Sequence, residues 1–472
     1  MKIKRLSGKI ITLVFVLLAI TGALCLYFFY SPRQIFHKPL LKQEVLPPAG
    51  SKLLIIAPHC DDETLGPGIL ISRATKAGLK VKVVIVTNGD GFTLAVDENF
   101  FTVNPSSREY RQFGSRRQQE SRTALAALGL NSSDIYFLGY PDTGIAHLWT
   151  EFWDSDKRFF SKYTQTNISP YKDSFNKSAP YTGVSLLSDL ERIIREYQPT
   201  HIYYPHPNDR HPDHWGVNAF VKYMLEANKL GNIQEKLYLV HRGNWPVPKL
   251  PRPNMKLNPP IKLTGLGTVW SDFPLKEGEA DLKKTAILKY RTQIKAMKEF
   301  LMAFVRSSEL FGYYPDVVIR KLSQIPDETK QDTLAIADPV GDMVTRDVDR
   351  SADIKAIYSY VANNSWVIEL VADRPVAKNI VYKVHARMFY RAQPVKRFDV
   401  TFYQGNLALK KYARNSLTSI TGIKTFKING RWRIEIPMKS LGDPQAVFIG
   451  ADCGIARFNT DRTAWRMLRF PD

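Results

Sequence analysis

Cysteine is nearly absent. Three occur in 472 residues, Cys25, Cys60 and Cys453, and they fall in an apolar run, a polar motif and the C-terminal region. That argues against a disulfide framework. It leaves the compartment open, because a chain of this length buries enough surface without covalent staples. Acidic residues are also scarce: 45 Asp and Glu stand against 66 Lys and Arg, a formal net charge of +21. Such an excess implies an anionic neighbour, whether nucleic acid, an anionic membrane or a wall polymer. No zinc-finger spacing and no RNA-binding aromatic signature accompany it, which sets nucleic acid aside. There is no internal repeat, and the ordinary apolar content suggests neither disorder nor a coiled coil. Two globular units with some linker are expected.

One apolar run stands apart. Lys2, Lys4, Arg5 and Lys9 precede a stretch from Ile10 to Tyr30 that is long enough to span a bilayer. It is longer than a signal-peptide core and lacks a small-x-small cleavage site. Cys25 in Gly22-Ala23-Leu24-Cys25 has no small residue just before it, as lipidation would require. Residues 1–9 therefore read as a cytoplasmic tail, 10–30 as a transmembrane helix, and the chain beyond as facing outward from the cell membrane in single-pass topology. Pro32, Pro39, Pro47 and Pro48 make residues 31–50 an extended linker.

From there buried strands alternate with helices. Leu53-Leu54-Ile55-Ile56-Ala57 is a short continuous apolar run of the kind covered on both faces. A helix to about Ala77 and a strand Val81 to Thr87 complete a β-α-β unit. Helices follow over Ser115–Leu128 and Val184–Tyr197, with strands at Ile135–Leu138 and His201–Tyr204. A Rossmann-like α/β unit with a mostly parallel sheet and covering helices is expected over 51–325. Between His147 and Pro180 lies an aromatic insertion with Trp149, Phe152, Trp153, Phe159, Phe160, Tyr163 and Tyr171; it reads equally as a substrate-covering loop or a packed satellite cluster. Leu282 to Phe311 reads as one or two helices. Residues 326–343 are polar and turn-rich, and 344–472 show the short alternating strands of a β-sandwich-like domain, with Trp366–Leu370, Phe398–Tyr403, Trp432–Ile436 and Ala446–Ile449 among them.

Two polar clusters carry the chemistry. Pro58-His59-Cys60-Asp61-Asp62-Glu63 follows the first strand, and His206-Pro207-Asn208-Asp209-Arg210-His211-Pro212-Asp213-His214 follows the strand at His201. Adjacent carboxylates repel, and burying them is unfavourable unless a cation or proton is shared. Either cluster alone could be a solvated loop. Together, at the carboxyl ends of strands of one parallel sheet, they supply two imidazoles and a carboxylate for a metal, an open position for water, and spare acid–base groups.

These residues resemble the zinc-dependent PIG-L or LmbE-like deacetylases, whose hallmark is an Ala-His-Pro-Asp-Asp-Glu-type segment followed far downstream by His-Pro-Asp-His. Here the segments are Ala57-Pro58-His59-Cys60-Asp61-Asp62-Glu63 and His211-Pro212-Asp213-His214. The resemblance extends through Thr87-Asn88-Gly89-Asp90, Arg117-Gln118-Gln119-Glu120, Gly139-Tyr140-Pro141-Asp142 and the region from Gln293 to Phe311, covering about Ser51 to Tyr314. It departs at Cys60, where the family often has proline, and at Pro67 in Gly66-Pro67-Gly68. It implies that His59, Asp62 and His214 hold Zn2+, with another divalent metal such as Fe2+ as the alternative. It implies Asp61 as general base, His211 as the oxyanion-stabilising or protonating imidazole with Asp213 tuning it, and Arg117, Asp142 and Asn88 as substrate-binding residues. Arg117 could instead pair with Glu120 and serve structure.

The implied function is hydrolysis of the N-acetyl group of an N-acetylhexosamine on an extracellular glycan, polysaccharide or glycolipid, with anionic cell-wall polymers as further partners. Two other readings stand beside it: an inositol-glycolipid deacetylase on the cytosolic face, and a surface glycan-binding protein with a vestigial hydrolase domain. The C-terminal region, outside the resemblance, has about twice as many basic as acidic residues. It looks similar to carbohydrate-binding modules, with Tyr360, Trp366, Tyr390, Tyr403, Trp432 and Trp465 as candidates for stacking on sugars or for filling a core.

Overall fold

A computed structural model describes residues 41–154, 156–177, 179–342, 349–403, 406–412, 421–455 and 458–471. Its first sheet has eight strands in the order Lys42–Gln43, Val269–Pro274, Ser308–Tyr313, Gln234–Tyr238, His201–Pro205, Lys52–Ala57, Lys80–Thr87 and Ile135–Tyr140. The five strands from Gln234–Tyr238 to Ile135–Tyr140 are parallel. Leu53, Leu54, Ile55, Ile56 and Ala57 are fully buried, because odd and even residues of the strand face two separate cores. A central parallel strand with both faces covered requires such an uninterrupted apolar run.

The connectivity decides where a ligand can sit. From Lys52–Ala57 the chain runs outward through Lys80–Thr87 and Ile135–Tyr140, then returns to the other side of the first strand as His201–Pro205 and Gln234–Tyr238. Loops after Lys52–Ala57 and His201–Pro205 therefore diverge from adjacent strands and leave a crevice at their carboxyl ends.

The region expected as helix to Phe311 divides. Helices Glu279–Ile287 and Arg291–Met302 are followed by the strand Ser308–Tyr313, antiparallel to Val269–Pro274. Its Glu309 is fully buried, accepts the amides of Ile69 and Leu70 at 2.7 and 2.9 Å and pairs with Lys283 at 2.7 Å. Pro67 at the start of the helix Gly68–Lys76 has no capping side chain, so a carboxylate from a distant strand satisfies those amides. Local periodicity carries no trace of that partner.

The C-terminal strands form two further sheets. One holds Arg320–Lys321, Ile354–Ala362, Ser365–Ala372, Arg431–Pro437 and Lys424–Ile428, with Leu334–Ala337 alongside; the other holds Asn406–Tyr412, Lys396–Tyr403, Ile380–Phe389, Ala446–Ile455, Arg466–Arg469 and Val317–Val318, with Phe458–Arg462 alongside. They share an apolar core in a sandwich. Of the aromatic residues considered for sugar stacking, Tyr360, Trp366, Tyr390, Trp432 and Trp465 are all buried; the side chain of Tyr403 lies outside the described ones.

The second of these sheets is buried on its other face too. Along Ala446–Ile455, Val447 and Ile449 enter the sandwich core while Ala446 and Phe448 join the core beneath the helix Pro212–Ala227, as the alternation of a strand demands. The aromatic insertion supplies the other side of that seam. Trp149 is fully buried, with ring centroids 5.0–6.2 Å from Trp153, Phe220, Tyr223, Phe448 and Trp465. The Trp215 indole donates to Thr463 O at 2.9 Å. Much of the insertion is therefore packed core.

One expectation is corrected. Among the described residues no helix is long and apolar enough to cross a membrane, and the stretch 10–30 read as an anchor lies outside them. The single-pass, outward-facing membrane location is withdrawn, and with it the membrane as a partner.

Trp149→Ala is expected to destabilise the protein by about 3–5 kcal/mol, the loss typical of emptying a large buried aromatic site. Thermal unfolding measures it, and an unchanged Tm would mean that the seam does not depend on this ring.

Candidate active site

The strand Lys52–Ala57 ends in the turn that carries the first cluster. Asp61 caps the short helix Asp62–Leu65 at φ 140°, a positive value that L side chains rarely adopt, and its carbonyl accepts the amides of Thr64 and Leu65 at 2.9 Å. The second cluster begins the helix Pro212–Ala227, with His211 at its cap, Pro212 next and His214 in its first turn. Strained or tightly capped backbone on both sides aims the side chains into the crevice.

Three ligand atoms meet there. His59 Nδ1 lies 3.2 Å from both Asp62 Oδ2 and His214 Nε2, and the last two are 3.0 Å apart. Tetrahedral zinc with bonds of about 2.0–2.1 Å places its ligands about 3.3 Å from one another. The donor set, two imidazoles and a carboxylate, is the one zinc takes in hydrolytic sites. Asp62 Oδ1 is buried with no hydrogen-bond partner.

Carboxylates hold both imidazoles from behind. His214 Nδ1 is 3.1 Å from Asp209 Oδ2, and His59 Nε2 is 3.2 Å from Asp213 Oδ2 and 3.4 Å from Asp142 Oδ1. Such partners fix ring orientation and tautomer in metal-ligating histidines. Asp209 is fixed in turn by the amides of His211, Val240 and His241 at 2.9–3.0 Å, and Asp213 by those of Thr143 and Ile145 at 2.6 and 2.9 Å.

Buried this close together, the imidazoles and carboxylates shift one another's proton affinity. Burial opposes a charged His214, yet the Asp209 and Asp62 carboxylates raise it to about 9. Burial likewise opposes His59, and Asp142, Asp213 and Asp62 carry it well above its ordinary value. Burial would raise Asp62, but His214 and His59 hold it well below the usual carboxylate range.

The remaining groups surround a cavity of about 220 Å³ lined by His59, Asp61, Arg117, Asp142, His211 and His241 among others. Burial raises Asp61 to about 8 although Arg117 opposes it. Glu63 accepts the Asp61 amide at 2.9 Å, together with Ser121 and Tyr290 hydroxyls. Arg117 donates to Gly89 O, Cys60 O and Asp61 Oδ2, while Glu120 bonds Thr292 instead. Its position requires glycine at 89: φ is +62° and an added Cβ would fall 1.6 Å from Arg117 Nη1.

Several expectations shift on this geometry. The Asp213 carboxylate faces His59, and it is the Asp213 amide that meets His211, donating to Nδ1 at 3.2 Å. That leaves the proton of a neutral His211 on Nε2. Burial and the neighbouring His59 and His214 lower His211 to about 3, so it is a neutral donor, suited to the oxyanion-stabilising role. Asn88 is buried, receives Gln118 Nε2 at 3.3 Å and is not among the cavity-lining residues. Asp142 does line it, with Oδ2 accepting the Gly91 amide at 2.7 Å. Cys60 is fully buried in the apolar core, where burial pushes its thiol well above the ordinary range.

His241 was not singled out from the sequence. A nitrogen of its ring lies within 4.8 Å of the ligand atoms of His59, Asp62 and His214, and the ring stacks on Phe300 at 5.3 Å. Its signal was positional: it lies three residues beyond the parallel strand Gln234–Tyr238, at the sheet edge where ligands bind.

Comparison with known proteins places residues 54–225 in the family described as PIG-L: GlcNAc-PI de-N-acetylase. A 1D-myo-inositol 2-acetamido-2-deoxy-alpha-D-glucopyranoside deacetylase of Kribbella flavida is 26% identical over 207 residues, 42% of this chain and 60% of that protein. A deacetylase of the same description from Saccharopolyspora erythraea is 28% identical over 195 residues, 41% of this chain and 58% of that protein. The chain thus spans about three fifths of the length of these curated relatives. The solved N,N'-diacetylchitobiose deacetylase of Pyrococcus horikoshii is 19% identical, covering 56% of this chain and 84% of that one, with a TM-score of 0.34.

The proton-for-cation exchange has a testable sign. Above about pH 6.5, His206, His211 and His241, each lowered to about 3, are neutral folded and unfolded alike. Asp61 and His214, raised to about 8 and about 9, still hold protons that the unfolded chain has released. Their contribution to metal-free stability is lost as pH rises through those values. Zinc held at the triangle would take the place of these protons, so the Tm increment on adding zinc should widen between about pH 6.5 and 9. An increment that stays constant or narrows would reject the exchange.

Proposed function

We propose that the PIG-L family domain in this chain is a metal-dependent hydrolase that removes the acetyl group from an N-acetylglucosamine-type sugar, releasing acetate and a free amine. The observation that carries this reading is the triangle of His59 Nδ1, Asp62 Oδ2 and His214 Nε2, 3.0–3.2 Å on each side, beside a cavity that His59, Asp61 and His211 line. The family match and the two GlcNAc-inositol deacetylase relatives support the substrate class.

His59, Asp62 and His214 would hold zinc. Bound there, it supplies Lewis acidity toward the amide carbonyl and lowers the pKa of water. Asp61 accepts the proton of the attacking water; Arg117 at 3.1 Å fixes that carboxylate and keeps it from rising further. His211 presents Nε2–H to the oxygen on which negative charge develops, where a preorganised donor in a buried site contributes most. Asp61 then returns that proton to the departing nitrogen as the C–N bond breaks, leaving the free sugar amine and acetate. Asp142 sits beside His59 on the cavity wall and is suited to accept a sugar hydroxyl. An intact ligand set, base and donor around one cavity argue against a vestigial site, since such crowded buried carboxylates are unfavourable to retain without a cation.

Acetate release from a panel of N-acetylated mono- and oligosaccharides and GlcNAc-inositol, with chelation and zinc re-addition, tests the activity; no release from any of them in zinc-loaded protein would sink it. Asp61→Ala is expected to lower kcat by about 10²–10⁴, the usual contribution of a general base, with metal content unchanged. His214→Ala is expected to lose the metal as well. Full activity in a metal-free Asp61→Ala protein would overturn the assignment.

A further inference from the structure

A second group of buried carboxylates lies away from the cavity, at the seam between the first sheet's loops and the C-terminal sheets. Asp338 follows the strand Leu334–Ala337, Asp353 precedes Ile354–Ala362, and Asp461 lies on Phe458–Arg462. Ligand oxygens of Asp338, Asp342 and Asp461 are all within 4.8 Å of one another. Asp338, Asp353 and Asp461 are 5%, 0% and 6% exposed, and the side chain of Asp342 is 10% exposed.

Backbone amides and one guanidinium satisfy part of this charge. Asp461 accepts the amides of Ile354 and Arg462 at 2.7 and 2.9 Å, Asp353 Oδ2 that of Gly341 at 2.7 Å, and Asp342 Oδ2 the Arg242 guanidinium at 2.8 Å. Three oxygens are left over. Asp338 Oδ2, Asp342 Oδ1 and Asp353 Oδ1 are buried with no hydrogen-bond partner, and in a native interior each such orphan calls for an explanation. A neutral solution would need protons on several of these groups: burial and the neighbouring carboxylates push Asp461 up to about 7 and Asp338 well above its usual range.

We propose that Asp338, Asp342 and Asp461, with Asp353 beside them, bind a hard divalent cation of the calcium type that joins the C-terminal sheets to the loop beneath the candidate active site. The donors are all carboxylate oxygens, which select hard cations over zinc. Calcium also tolerates the loose, irregular geometry of oxygens drawn from three separate segments, where magnesium demands a near-ideal octahedron. Asp342 lines an open cavity of about 180 Å³ with Arg242 and Lys262, which gives the ion a path in. The link to the active site is direct: Arg242 bridges Asp342 to Asn208 O at 3.2 Å, next to Asp209, the carboxylate behind His214.

The test uses the full zinc-loaded chain and calcium chloride, with magnesium chloride as the comparison, read by thermal unfolding and by terbium luminescence at the aromatic residues. Millimolar calcium should raise the Tm by several degrees, magnesium by less, and calcium should displace bound terbium. Asp338→Asn and Asp461→Asn remove a charge without changing shape, so without calcium they should be at least as stable as the parent, and with calcium the order should reverse. His214→Ala should keep the calcium response, which separates this site from the zinc site. A parent Tm indifferent to calcium, or variants more stable than the parent in both buffers, would mean that shared protons suffice and would overturn the proposal.

Discussion

Everything at the carboxyl edge of the first sheet is organised by the repulsion among buried carboxylates. Asp61, Asp62, Asp142, Asp209 and Asp213 are each less than one-tenth exposed and crowd around His59 and His214. Such a group is stable only if positive charge stands between its members. The imidazoles alone supply it by taking protons, and a divalent ion at the triangle of ligand atoms supplies it without them. The same demand explains why backbone amides fix Asp142, Asp209 and Asp213 and the Arg117 guanidinium fixes Asp61: a buried carboxylate needs donors on its remaining lone pairs.

Precision at that edge depends on elements far from it. The helix Pro212–Ala227 presents His214 and packs its opposite side against Trp149, Phe448 and Trp465. The C-terminal sheet that supplies Phe448 is thus part of the scaffold under a candidate metal ligand. An accessory module joined by a flexible tether would leave that helix face to solvent. The basic charge of the C-terminal region is partly consumed in the same packing: Arg397 lies 3.9 Å over the Trp153 ring, and Arg469 pairs with Glu226 and Asp316.

Much of the site was legible in the sequence. The run Leu53–Ala57 is of the kind that forms a strand covered on both faces, and polar clusters that follow such runs lie at one sheet edge. His59, Asp62 and His214 come together as their motifs imply. What could not be read is which carboxylate faces which ring. Asp213 is two residues from His211 in the chain, yet its side chain lies on His59, 154 residues away. Asn88 sits in a polar motif but turns into the interior toward Gln118. Arg117 commits its terminal nitrogens to Gly89, Cys60 and Asp61. His241 carries no motif, because the residues it meets, among them Phe300, His211 and His214, are brought to it by the fold.

The sequence by itself determined the kinds of ligand and the strand ends that bear them, because strand burial and turn chemistry act over a few residues. Tertiary structure alone decided the pairing of carboxylates with imidazoles, the strand at Ser308–Tyr313 with its buried Glu309, and the seam around Trp149. Each of those rests on contacts between residues brought together from distant segments, and their orientation is set by packing and charge balance that no local pattern records.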